Sequence, residues 1–184
     1  MADLILLNGP PASGKSTIAM AFVADRPLAL NLDIDVVRGL LGAWLTQPAE
    51  AGLAARRLAL AMARVHLTQG LDVIVPQYVA RESFILELEH EARSCGARFV
   101  ELVLTLDRDD ALDSFSQRQS SDVSTHRDAQ ALVERGGETA LGDMYDALER
   151  LVSSRPSAVR VGVARDDIPE TYRRVDAALA ATGS

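Results

Sequence analysis

One lysine stands in a chain of 184 residues that holds eighteen arginines, and it stands where phosphate chemistry needs it. The run Gly9-Pro10-Pro11-Ala12-Ser13-Gly14-Lys15-Ser16, followed by Thr17, fits G-x-x-x-x-G-K-[ST]. Glycines allow backbone N–H groups to turn inward around phosphate oxygens, and a helix N-terminus behind them adds positive potential. Lys15 is placed to reach the outer phosphates, and the Ser16 hydroxyl to ligate magnesium. The expected ligand is a nucleoside triphosphate, with ATP and Mg2+ as cofactors.

A second constellation follows in Asn31-Leu32-Asp33-Ile34-Asp35-Val36-Val37-Arg38, with two carboxylates two residues apart at a strand end. One carboxylate there can take the proton of an attacking hydroxyl, and a second can order magnesium-bound water. We assign the first role to Asp35, which also reads as a helix N-cap, and the magnesium side to Asp33; the sequence leaves the reverse assignment open. Arg38, one turn on, can hold an anionic substrate group. Gln77, Tyr78 and Arg81 follow the third strand, where open α/β sheets bind ligands, and are the substrate-pocket candidates. Trp44 lies on an apolar helix face and reads as core before pocket. His66 and His90 lack a second ligand at metal spacing, and Cys95 reads as packing.

These residues need strands and helices to position them. Residues 4–7 form a short apolar run that precedes the phosphate loop, and residues 16–25 have helical spacing. Residues 28–32 read as a second strand, followed by a helix ending near Trp44, a turn at Gln47-Pro48 and a helix over 51–69. Strands follow at 73–75, 99–106 and 158–163. Helices follow at 82–94, 109–119, 138–154 (after Gly136-Gly137) and from Pro169 to Ala181. Alternating strands and helices argue a single α/β domain over residues 1–184, a parallel sheet covered on both faces. Residues 120–137 are polar and lack apolar periodicity, which is the expectation for a lid closing over ATP.

Composition narrows the function. With 26 acidic against 19 basic side chains the net charge is −7, which offers no long-range field for nucleic acid. One cysteine excludes an intrachain disulfide framework. No apolar run approaches the ~20 residues a bilayer requires, and no basic start suggests a signal, so no membrane partner and a cytoplasmic location are expected. A guanine-reading Asn-Lys-x-Asp is impossible with Lys15 as the only lysine. A motor or AAA-type ATPase carries Asp-Glu at a strand end, whereas the third strand here runs into Pro76-Gln77 and the fourth into Asp107-Arg108. What remains is a kinase.

The N-terminal half resembles the small P-loop kinases: polynucleotide 5′-kinases, zeta-type toxins, chloramphenicol phosphotransferase and gluconate or shikimate kinases. Three segments carry the resemblance. They are the phosphate loop, Asp35-x-x-Arg38, and Gly70-Leu71-Asp72-Val73-Ile74-Val75 with its following loop; Asp113 to Arg118 match more weakly. The resemblance implies a three-layer fold with five parallel strands in the order 2-3-1-4-5, Asp35 as general base, and a lid arginine, Arg118, near the phosphates. Many relatives have a carboxylate after the third strand where this chain has Gln77. Arg165-Asp166-Asp167 falls where such kinases hold adenine. The expected activity is transfer of the ATP γ-phosphoryl group to a hydroxyl of a small molecule. A kinase of a nucleotide, nucleic-acid end or nucleotide sugar, and a nucleotide-binding regulator with little turnover, stay open, as does the oligomeric state.

Overall fold

A computed structural model describes residues 1–107 and 127–183, with side chains described outside 127–138. Five strands, β1 (Asp3–Asn8), β2 (Leu30–Asn31), β3 (Val73–Pro76), β4 (Arg98–Thr105) and β5 (Val159–Gly162), form one parallel sheet in the order β2-β3-β1-β4-β5. The helices are α1 (Lys15–Ala24), α2 (Ile34–Gly39), α3 (Pro48–Leu67), α4 (Glu82–Ser94), α5 (Arg127–Ser153) and α6 (Ile168–Ala181). The expected strand order is the one observed.

Strand alternation sorts the side chains into two core layers. Leu4 and Leu6 of β1 and Val73 and Val75 of β3 pack with α3 and α4, while Ile5, Leu7 and Ile74 pack with α1 and α6. A stripe of small residues, Ala51, Ala55, Ala59 and Ala63, is buried along α3 and lets its backbone lie close on the sheet. α5 joins through Leu148 and Val152 against Val103 of β4.

α3 begins at Pro48, inside the expected turn and three residues before the expected start, and the boundaries depart further from the sequence expectation at three places. β2 has only two residues, since it is an edge strand whose ladder with β3 covers only Leu30 and Asn31. α2 ends at Gly39, well before Trp44, and turns connect it to α3. α5 begins at Arg127, eleven residues before the expected start at Glu138, so Gly136 and Gly137 lie inside a helix. A helix-interior glycine costs only about 1 kcal/mol relative to alanine, which packing of the later turns offsets. The second half of the expected lid, 127–137, is thus helical; the first half, the expected helix 109–119 and Arg118 lie outside the described residues.

Candidate active site

Parallel order puts the C-terminal ends of β2, β3 and β1 side by side, with β3 in the middle. The phosphate loop leaves β1, the Asp33–Arg38 constellation leaves β2, and Gln77 lies between them. One edge of the sheet therefore carries both halves of the expected chemistry.

The loop between β1 and α1 takes its shape from three residues with positive φ: Gly9 (152°), Ala12 (65°) and Gly14 (88°). A Cβ on Gly9 would stand 3.0 Å from the Leu104 Cβ and 3.1 Å from the Leu104 carbonyl oxygen, so only glycine fits. Lys15 opens α1 and folds back over the loop, donating to the carbonyls of Gly9 (3.0 Å) and Pro10 (2.8 Å). Ser16 and Thr17 occupy the first turn of α1, whose N–H groups have no carbonyl one turn earlier in the helix to bond. This cradle of glycines, first-turn amides and one ammonium fits a polyphosphate. Pro11 is buried beneath it.

Asn8 anchors the loop from below and escaped the sequence reading. Fully buried, its amide accepts from Gly9 N (2.8 Å) and Val79 N (3.0 Å) and donates to the Val79 carbonyl (2.9 Å). It ties the start of the phosphate loop to the loop that follows β3. The available signal was a polar residue closing an apolar strand directly before the motif.

The cap of α2 is Asp33, not Asp35. Asp33 has extended backbone (φ −77°, ψ 113°), and its Oδ1 accepts from the N–H of Asp35 (2.9 Å) and Val36 (3.4 Å). Two carboxylates two residues apart are equal cap candidates in sequence; the extended conformation at position 33 decides between them. Asp35 then belongs to the first helical turn, and its side chain faces outward. There Arg38 Nη2 stands 3.1 Å from Asp35 Oδ1, and the Arg38 guanidinium lies 5.4 Å from the centre of the Trp44 ring. Trp44 therefore stacks on a site residue instead of closing the core. Among the described residues no group of three or more His, Cys, Asp or Glu could hold a metal ion. Ser16 and Asp33 are the residues that would hold magnesium.

The loop after β3 divides. Gln77 donates its N–H to the Leu7 carbonyl (3.2 Å), and its side-chain Oε1 is buried without a hydrogen-bond partner among the described residues. Asn31 Oδ1, at the end of β2, is in the same condition. Tyr78 instead turns to α5 and donates its hydroxyl to the Met144 carbonyl (2.9 Å), packing beside Leu148 and Val152. Burial pushes its phenol up to about 12, against the pull of the Arg150 charge. Arg81 is exposed at the N-cap of α4. On the far side, Ile168 Cδ1 lies 3.6 Å from where a Cβ on Gly14 would stand, so the β5–α6 loop borders the phosphate loop. Asp167 caps α6 through the N–H of Glu170 (2.8 Å), and the buried Thr171 hydroxyl holds the loop at Ala164. His66 bonds the Leu28 carbonyl and Cys95 lies beside Glu91, as structural roles require.

Comparison with known proteins agrees with this fold. No curated protein matches the chain. Among solved structures it is similar to a gluconokinase from Sinorhizobium meliloti 1021, with a TM-score of 0.65 and 18% identity over 98% of this chain and 93% of that one. It is similar to the Deinococcus radiodurans tunicamycin resistance protein (TM-score 0.62, 14% identity, 97% and 96% covered). It also resembles a chain of the Pnkp1/Rnl/Hen1 RNA repair complex (0.62, 17%), covering 85% of this chain but 47% of that one. At such identities the likeness is one of fold. A family model described as AAA domain matches residues 4–135. The match spans β1 to β4 and the phosphate loop but stops before β5, and in this chain neither β3 nor β4 runs into Asp-Glu. By that match the chain belongs to the AAA-domain family, with the fold of the small P-loop kinases.

Proposed function

We propose that the chain is an ATP- and magnesium-dependent phosphotransferase that moves the γ-phosphoryl group to a hydroxyl of a small molecule. The observation that carries the reading is the shared sheet edge: Lys15 in its loop at the end of β1, Asp35 and Arg38 past the end of β2, and Gln77 between them. In this reading the loop amides and Lys15 hold the phosphates and spread the charge of the transferring group. Ser16 and Asp33 would hold magnesium, which would supply neutralisation of phosphate charge. Asp35 receives the acceptor's proton as its oxygen bonds to phosphorus, and the γ-phosphorus bond to ADP breaks. Arg38 and Gln77 orient the acceptor. Arg118, by resemblance, adds charge stabilisation from the lid.

The test is acceptor-stimulated ADP release across a panel of alcohols, sugars and sugar acids. Lys15→Ala should abolish the thermal shift given by millimolar ATP with magnesium. Asp35→Asn should keep that shift and lower turnover by roughly 10²–10⁴-fold. Wild-type turnover in Asp35→Asn would remove Asp35 as the base. The likeness to the RNA repair chain favours one second reading, phosphorylation of a nucleic-acid end. Stimulation by 5′-hydroxyl oligonucleotides and not by small alcohols would select it. Nucleotide binding with no stimulation by either would leave a nucleotide-binding regulator.

A further inference from the structure

We propose that Trp44 and Arg38 form a latch on Asp35, which keeps the proton acceptor engaged until an alcohol bearing a carboxylate or phosphate enters. The proposal rests on the reading of Asp35 as the base. Its structural ground is a chain of three contacts. Asp33 Oδ1 accepts from the N–H of Asp35 and fixes that residue's backbone. Arg38 then places Nη2 3.1 Å from Asp35 Oδ1, and Trp44 covers the guanidinium at 5.4 Å. The Arg38 side chain is only 16% exposed, whereas that of Asp35 is 38% exposed. The cation is the enclosed partner and the carboxylate the accessible one.

This asymmetry sets what can move. A guanidinium stacked on an indole keeps its planar edge available for a two-point contact with carboxylate or phosphate. The stack does not compete with that contact, because it uses the face of the group and the anion uses the edge. An anionic acceptor can therefore replace Asp35 at the edge of Arg38 while Trp44 holds the guanidinium in place. Asp35 is then released beside the hydroxyl it must deprotonate. A neutral molecule, water above all, cannot make this exchange and meets Asp35 with one oxygen still facing Arg38. Trp44 is thus a positioning residue that acts through Arg38, and the latch suppresses hydrolysis. In that side reaction a water oxygen bonds to the γ-phosphorus, the bond to the bridging oxygen breaks, and ADP leaves with its electron pair. The water proton passes to Asp35 and on to solvent.

The experiment needs no knowledge of the natural acceptor. Acceptor-free ATP hydrolysis is measured in the full chain and in Arg38→Gln, Trp44→Leu, Trp44→Phe and Arg38→Lys, each first shown to keep its ATP thermal shift. Arg38→Gln and Trp44→Leu should raise hydrolysis roughly 10-fold, a fraction of a full general-base effect. Trp44→Phe, which keeps an aromatic face, should recover most of the suppression, whereas Arg38→Lys, which keeps the charge without the planar fork, should recover only part of it. Adding Asp35→Asn to Arg38→Gln should remove the rise. Trp44 is the only tryptophan in the chain, so its emission reports the stack directly. Inorganic phosphate should change that emission in the wild type and not in Arg38→Gln. Unchanged hydrolysis in Arg38→Gln and Trp44→Leu, a rise that survives Asp35→Asn, or an emission response that survives Arg38→Gln would each overturn the latch. Any of these alongside normal acceptor-driven turnover would leave the kinase reading standing. Loss of the ATP thermal shift in the wild type would instead strike at the kinase reading itself.

Discussion

Asn8→Ala isolates the joint beneath the phosphate loop. The wild-type amide satisfies three fully enclosed backbone groups: the N–H of Gly9, the N–H of Val79 and the carbonyl of Val79. Truncation leaves all three without their partner. An orphaned buried group costs about 1–3 kcal/mol, and one water in the vacated space can recover part of that. The expected loss is therefore about 3–5 kcal/mol. For a domain of this size each kcal/mol moves the melting temperature by about 2–4 °C, so calorimetry should show a fall of roughly 6–20 °C. Asn8→Leu separates the bonds from the volume. It fills the space but restores no hydrogen bond, so it should melt no higher than Asn8→Ala. The stabilisation by ATP should shrink in both variants, because the start of the loop has lost its tie to Val79. A melting temperature within about 2 °C of wild type for Asn8→Ala would refute the reasoning, and a recovery in Asn8→Leu would assign the effect to packing.

Two further outcomes follow from the same geometry. Asp33→Ala should cost about 1 kcal/mol through loss of the α2 cap, whereas Asp35→Ala should leave the cap intact; urea unfolding of the pair measures the difference. Tyr78→Phe should loosen α5 by about 1 kcal/mol through loss of the bond to Met144. In the wild type Tyr78 stays protonated until about pH 12. Its raised folded value stabilises the fold fully below the ordinary tyrosine pKa near 10 and loses that contribution as pH rises toward 12. Alkaline difference absorbance of Tyr78→Phe against wild type should remove the latest-titrating phenol.

How much could be read from the chain alone depends on the range of the interaction that decides each feature. The apolar run of β1 and the phosphate motif are local, and so are the limits of α4, which fall at Glu82 and Ser94 as the amphipathic spacing demands. The cap of α2 is local as well, but Asp33 and Asp35 satisfy the same preference, and only the backbone angle at position 33 separates them. Gly136-Gly137 looks like an ending, yet α5 runs through it because glycine weakens a helix without forbidding it. The role of Asn8 depends on Val79, 71 residues away, and no periodicity carries that information. The same holds for the buried pair Arg155–Glu101 (2.6 Å), which joins the end of α5 to β4. Trp44 was legible as an aromatic on an apolar face. Its stacking on Arg38 follows from turns that propensity does not define.

A common feature of the site is that its strongest charges are already in use. The Lys15 ammonium rests on the carbonyls of Gly9 and Pro10, Arg38 rests on Asp35, and one Asp33 oxygen is bound to amides of α2. An ion left bare in a partly enclosed cleft would have to be stripped of water when substrate arrives, at a cost of several kcal/mol. Here the exchange is different. In the proposed reading phosphate replaces carbonyl at Lys15 and an acceptor anion replaces carboxylate at Arg38, so each cation passes from one oxygen partner to another without crossing an unpaired state. The chain's net charge of −7 makes this arrangement useful, since the field outside the cleft repels anions and affinity must come from contacts inside it. Selectivity then rests on whether an incoming group can outbid an internal oxygen. A triphosphate can do so at Lys15 through charge and several loop amides together. In the proposed reading water can do so at neither cation, so the pairing that prepares the site for substrate would also hold it quiet in its absence.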